Sequence, residues 1–184
     1  MTDHLFVITG GPGSGKTTLV AAVATAGLAT MAEAGRAIIR DQVAIGGSAL
    51  PWADRSAFAE LMLSWDLRSH REACLLPGPV ICDRGLPDVI GYLTLCGLPV
   101  PAHLHRAAEM FRYNRKVFVA PHWPEIYARD EERRQDEAEA AATCEAMIAV
   151  YQALGYETIM LPLAGVPQRR EFVLGHLAAQ PRNE

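Results

Sequence analysis

The chain has 184 residues, a formal net charge of −4, half of its residues hydrophobic and 21% charged. That length suffices for one domain with a full core, the acidic balance excludes a general nucleic-acid binder, and the longest apolar candidate, 19–32, is alanine-rich and broken by Gly27, so no membrane span is expected. The N-terminal residues carry Asp3 and His4 without Lys or Arg, a poor signal peptide, and the four cysteines (Cys74, Cys82, Cys96, Cys144) lack C-x-x-C spacing, three of them in apolar runs that suggest buried free thiols, so a cytoplasmic protein is expected.

Leu5, Phe6, Val7 and Ile8 form an apolar run that predicts a buried strand. It leads into GGPGSGKTT, residues 10–18, in which Gly10, Gly15, Lys16 and Thr17 fit G-x-x-x-x-G-K-[ST]. Thr17–Ala24 then reads as a helix. Strand, glycine-rich loop and helix is the order that this phosphate-binding pattern requires. Without a Cβ, glycine lets the loop turn tightly and aim successive backbone N–H groups inward, and the helix start adds unpaired N–H groups. The expected nucleotide cradle is Gly11, Pro12, Gly13, Ser14, Gly15, Lys16, Thr17 and Thr18. Lys16 would reach the β- and γ-phosphates of ATP, and the Thr17 hydroxyl would hold Mg²⁺. An ordinary glycine-rich turn is the alternative, which the flanks and the Gly-Lys-Thr triplet disfavour.

Further along, Leu28–Met31 predicts a short second strand and Ala34–Ile45 a helix ending at Gly46-Gly47. Asp54 can cap the next helix, whose Phe58, Leu61, Met62 and Trp65 repeat at i, i+3, i+4, i+7 before it stops near Pro77-Gly78-Pro79. Val80–Cys82 predicts a third strand ending at Asp83. Pro87 starts a helix ending at Gly97, and Ala102–Tyr113 predicts another. Val117–Val119 predicts a fourth strand, stopped by Pro121. Glu137–Leu154 predicts a helix with Cys144, Met147, Ile148 and Tyr151 on one face, Glu157–Leu161 a fifth strand, and Gln168–Ala179 the last helix. Alternating strands and helices predict a parallel sheet covered on both faces, with ligands beyond the C-terminal strand ends.

The strand ends therefore nominate the remaining site residues. Asp83 ends an apolar strand, as a Walker-B acid would; one carboxylate and one hydroxyl suffice for Mg²⁺, which keeps waters. The alternative is an acid that caps the following turn. Arg84 beside it could neutralise a phosphate. Glu33, just past the second strand, could face an acceptor hydroxyl as a base, or be a helix-start glutamate favoured by the dipole. Arg129, Arg133 and Arg134 fall at i, i+4 and i+5, either on a solvated helix paired with Asp130, Glu131 and Glu132 or on a lid, about 124–137, closing over the transferring phosphoryl group. Trp52, Trp65 and Trp123 could stack on a base or pack in the core. The six histidines form no ligand cluster, and 114–117, NRKV, lacks the acid of a guanine-reading motif.

GGPGSGKTTL, EAGRAII, DRGLPDV, YLTLCGLP and APHWPEIYARDEERRQ together resemble a bacterial family of small P-loop proteins labelled predicted or AAA-domain ATPases, over roughly residues 4–175. The layout is also similar to ribosylnicotinamide kinase and deoxynucleoside kinases. That resemblance implies that Glu33 matches the acid ending their second strand, that Asp83-Arg84 match the acid–Arg pair ending the third, and that Arg129, Arg133 and Arg134 match lid arginines. Gly85 stands where deoxynucleoside kinases commonly have serine.

The expectation is one three-layer α/β domain, 1–184, of the P-loop NTPase type with about five parallel strands. Its expected activity is Mg·ATP-dependent phosphoryl transfer to an unidentified small-molecule acceptor, with Lys16, Glu33, Asp83, Arg84, Arg129 and Arg133 at the chemistry. The alternatives are a regulatory ATPase whose acceptor is water and a module that senses ATP without turnover.

Overall fold

All six residues of β1 (Leu5–Gly10) are buried, the mark of a central strand in a parallel sheet covered on both faces. The computed structural model describes residues 2–124 and 137–179. After β1 come α1 (Lys16–Thr25), β2 (Ala29–Met31), α2 (Ala34–Ile45), α3 (Arg55–Cys74), β3 (Val80–Asp83), α4 (Leu86–Leu95), α5 (Ala102–Met110), β4 (Lys116–Ala120), α6 (Glu137–Ala153), β5 (Glu157–Met160) and α7 (Val166–Ala178). The strands pair in the order β2-β3-β1-β4-β5, every pairing parallel. Strand side chains alternate between faces, so Phe6, Ile8, Ile81 and Phe118 pack under α1 and α7 with Leu19, Val23 and Val173. Leu5, Val7, Val80, Cys82 and Val117 pack on the other face with Leu63, Leu86, Val89, Leu104 and Tyr151 of α3 to α6. Three layers result, and no described helix is long and apolar enough to cross a membrane.

Apart from ends displaced by one or two residues, two elements differ from the sequence reading. α5 stops at Met110 rather than Tyr113, because the next residues are drawn inward: Asn114 N donates to Leu5 O at 2.7 Å and the Tyr113 hydroxyl accepts from Leu86 N at 3.3 Å. On α3, Leu61 is exposed, whereas Phe58, Ala59, Leu63, His70 and Ala73 are buried. This helix lies between α2 and α4 and so buries a wider face than a single stripe. Asp54 does cap it, accepting from Ala57 N at 2.9 Å. All four cysteines are free; Cys82 and Cys144 are buried, Cys96 is half-buried and Cys74 exposed.

The register aligns Ile8 with Asp83 and Met31 with Cys82. The C-terminal ends of β1, β2 and β3 thus lie together, delivering the glycine-rich loop, the Glu33 turn and Asp83-Arg84 to one edge.

Candidate functional site

α1 starts at Lys16 with Gly15 before it in the left-handed region, φ 79°, and no side chain caps its first turn. Its leading N–H groups are thereby left for an anion. Gly11 has a different reason to be glycine: a Cβ there would lie 2.3 Å from Ala140 O, so the loop is pressed against α6. Thr17 and Thr18 are exposed at the helix start, and Ser14 is buried, its hydroxyl donating to Gly11 O at 2.8 Å.

Lys16 is buried and folds back over its own loop. Its ammonium donates to Gly11 O at 2.5 Å, Gly10 O at 3.2 Å and Ser14 Oγ at 3.3 Å. Burial, followed by the nearby Arg84 charge, pushes it down to about 7 against the pull of Glu33, Asp83 and Asp88. A charge held this way is short of anionic partners, which a triphosphate would supply.

Asp83 is buried at the end of β3 with no hydrogen-bond partner on Oδ1. Burial and then Glu33 push its carboxyl up to about 6, against Lys16 and Arg84. An orphaned Asp83 carboxylate oxygen and the exposed Thr17 hydroxyl are hard oxygen donors of the kind that suits Mg²⁺, which takes few protein ligands and keeps its waters. Among the described residues no cluster of three acids, histidines or cysteines offers a closed metal cage.

Glu33 occupies the N-cap position of α2 but does not cap it. Its carboxylate turns instead to Arg84, accepting from Nε at 3.1 Å, with Arg36 Nε 3.9 Å away. Burial raises its pKa, but Arg84, Lys16 and Arg36 together outweigh burial and hold it below the usual glutamate value. Arg84 sits at φ 72°, an unusual backbone for a residue with a side chain. It is held there by Glu33 on one side and Asp88 on the other, the latter at 2.8 Å. Gly85 follows because Tyr113 packs against it: a Cβ there would stand 3.0 Å from the ring. A serine at that position would need the Tyr113 ring to give by a few tenths of an ångström. Arg129, Arg133 and Arg134 lie outside the described residues.

A sequence model of the AAA domain matches residues 5–169. The chain belongs to the AAA domain family. A search of curated proteins returned no match. Among solved structures it is similar to a deoxyadenosine kinase from M. mycoides bound to dCMP and dCDP, at a TM-score of 0.70 and 14% identity over 96% of this chain and 100% of that one. It is similar to NadR in complex with NR at 0.72 and 15% identity, the whole of this chain spanning 53% of that protein. A thymidylate kinase from Ehrlichia chaffeensis matches at 0.64 and 13%, over 94% of this chain and 97% of that one. At such identities the likeness is one of fold: this AAA domain chain has the α/β P-loop architecture of nucleoside and nucleotide kinases.

Three groups at the site went unmarked in the sequence. Arg169 of α7 is fully buried; it donates to Ser14 O at 2.7 Å and Pro162 O at 2.8 Å and lies 4.9 Å from the Trp123 ring, bracing the loop. Tyr151, legible only as an apolar-face residue of α6, donates its hydroxyl to Asp88 Oδ2 at 2.7 Å. Asp88 is the hub: Oδ1 also accepts from Thr9 Oγ1 at 2.6 Å and Arg84, and Oδ2 from Gly85 N at 3.1 Å. Its spacing from Arg84, i+4 at a helix start, is the signal that could have found it.

All four partners of Asp88 donate. In Asp88→Asn, one oxygen becomes an NH₂, and either orientation sets it against a fixed donor, Arg84 or the Gly85 N–H. The variant is expected to lose about 2–3 kcal/mol of stability, since buried hydrogen bonds to charged groups are worth that much. Urea unfolding measures this; a parent-like midpoint would mean that the network does not hold Arg84 in place.

Proposed function

We propose that this chain transfers the γ-phosphoryl group of Mg·ATP to a hydroxyl of a nucleoside, nucleotide or related small molecule. The observation that carries the reading is the division between two carboxylates at adjacent strand ends. Asp83, with a buried and unpartnered Oδ1, is the acid that a metal would use. Glu33 is not needed for the metal, yet it is held at the same edge by Arg84. A second acid at this edge suits an acceptor hydroxyl that must lose its proton, whereas in a regulatory ATPase its task would be only to position water.

In the proposed reaction the glycine-rich loop and Lys16 bind the phosphates. Thr17 and Asp83 would hold Mg²⁺, which supplies charge neutralisation on the β- and γ-oxygens when bound. Glu33 takes the proton of the acceptor hydroxyl. The acceptor oxygen bonds to the γ-phosphorus as the bond from phosphorus to the β,γ-bridging oxygen breaks, and ADP leaves with that electron pair. Arg84 keeps the Glu33 carboxylate aimed and ionised. The lid role of Arg129 and Arg133 is part of the same proposal.

A screen of nucleosides, nucleotides and related vitamins for stimulated ADP release tests it. At least one acceptor is expected to raise ADP release well above the rate with water and to yield an equal amount of phosphorylated product. If none does, while ATP binding changes the protein's shape or partners, the regulatory ATPase is the right reading.

A further inference from the structure

α3 carries one residue that its packing does not explain. Its inward face reads Ala59, Leu63, Asp66, His70, Ala73, spaced four, three, four, three. Ala59, Leu63 and Ala73 are buried in the core beneath the sheet, and His70 is buried with Nε2 2.8 Å from Arg112 O. Asp66 sits at the centre of this stripe, half-buried, and among the described residues it makes no hydrogen bond or ion pair. Placing a carboxyl there without a partner is costly, and a leucine would complete the stripe.

Its surroundings are those of the acceptor side of the site. One turn earlier, Met62 Sδ would lie 3.9 Å from a Cβ on Gly35, and two turns earlier Phe58 Cζ 3.7 Å, while Glu33 Oε1 lies 3.6 Å from the same point. The Phe58–Met62 edge of α3, which Asp66 continues at i+4 and i+8, therefore lies along the Glu33 turn. The charges of Asp88, Arg84 and Glu33 all act on Asp66; burial and then Asp88 push its carboxyl up to about 8. The strand-end edge thus gathers four acids, Glu33, Asp66, Asp83 and Asp88, around two bases, Lys16 and Arg84. Arg84 is already engaged by two of the acids. What Asp66 needs is a donor.

We infer that Asp66 selects the acceptor, its unpartnered carboxyl on the inward face of α3 accepting a hydrogen bond from an amino nitrogen at the end of the acceptor remote from its phosphorylated hydroxyl. This rests on the phosphotransferase reading and names its substrate class: nucleosides whose base carries an exocyclic amine in preference to the same base with a carbonyl. A carbonyl there would set two acceptors face to face once Asp66 is ionised.

The test uses matched pairs, adenosine against inosine and cytidine against uridine, titrated calorimetrically at pH 8.5, above the value of about 8 to which the Asp66 carboxyl is pushed, into the full chain with Mg²⁺ and a non-hydrolysable ATP analogue, and assayed separately for turnover with ATP. The parent is expected to bind the amino member of at least one pair about 10–100-fold more tightly, the range expected of a hydrogen bond to a charged group. Asp66→Asn, which can face an amine or a carbonyl, is expected to erase that preference. Asp66→Leu is expected to raise the unfolding midpoint by about 2–4 °C, because an unpartnered carboxyl leaves an apolar stripe, and to lose the preference as well. The inference is overturned if both variants keep the parent's preference, if the parent favours the carbonyl members or binds neither pair, or if Asp66→Leu lowers the midpoint, which would reveal a structural partner. Selective binding without turnover would leave Asp66 as the selector and remove the kinase reading. Turnover with an acceptor indifferent to Asp66 would do the reverse.

Discussion

Lys16→Ala is expected to lower ATP turnover by about 10²–10³-fold, the loss typical when a preorganised charge is removed from a developing anion. The structure supplies the physical ground. The ammonium is already desolvated, wrapped by Gly10 O, Gly11 O and Ser14 Oγ and pushed down to about 7 by burial and Arg84. Its solvation has been lost before the nucleotide arrives, so its attraction for phosphate oxygens is not spent on stripping water. The same placement predicts proton uptake. At pH 8 much of Lys16 is neutral without nucleotide, and phosphate charge draws the ammonium back. ATP binding to the parent should therefore show a calorimetric enthalpy that varies with the ionisation enthalpy of the buffer, and binding to Lys16→Ala should lose most of that variation. The fold is expected to survive, because Ser14 Oγ still donates to Gly11 O and a buried charge has been removed. Parent-like turnover in the variant would refute the site, and an unfolded variant would show that the loop depends on Lys16 for its shape.

The parts of this site that were legible before the fold was known are those written in short-range chemistry. The glycine-rich loop has its spacing, its flanking strand and its helix in one run of sequence. Asp83 is announced by the apolar strand that delivers it. What could not be read is whatever depends on residues far apart in the chain meeting at one point. Glu33 was recognisable as a strand-end acid, but not that Arg84, 51 positions later, grips it. Asp88 carries no mark in the sequence of its role as hub, because Thr9 and Tyr151 reach it from 79 and 63 positions away. Arg169 carries no mark in the sequence either, because it crosses 155 positions to brace Ser14. The error on α5 has the same origin: Tyr113 continues a helical pattern locally, and its contacts with Leu86 and Tyr156 pull it out. Gly85 reverses the lesson. Its departure from the serine common in deoxynucleoside kinases was visible in sequence as a fact about the acceptor, and the structure shows a fact about Tyr113.

Glu33→Gln is expected to lower acceptor-dependent turnover by about 10²–10⁴-fold, the usual worth of a positioned general base. Glutamine keeps the size and retains an oxygen that can accept from Arg84 Nε, so the arginine and its left-handed backbone stay supported. Only the ability to take a proton is lost. ATP affinity should barely change, because the loop, Lys16 and Asp83 hold the triphosphate. Hydrolysis to water should fall less, since water need not occupy the acceptor's place. The pH dependence follows from the ion pairs. A base works only when ionised, and Glu33 is held below the usual glutamate value of about 4.3 by Arg84, Lys16 and Arg36 despite burial. At saturating Mg²⁺, acceptor-dependent turnover by the parent should therefore stay flat as pH falls toward that value, with no acid limb near neutrality from this group. Arg84→Gln should move the limb upward, because burial then acts on Glu33 with its main counter-charge gone. A structural ion pair predicts otherwise. If Glu33 serves only to hold Arg84, Glu33→Gln will cost stability and leave the acceptor-dependent rate of the folded protein near that of the parent, with an unaltered pH profile.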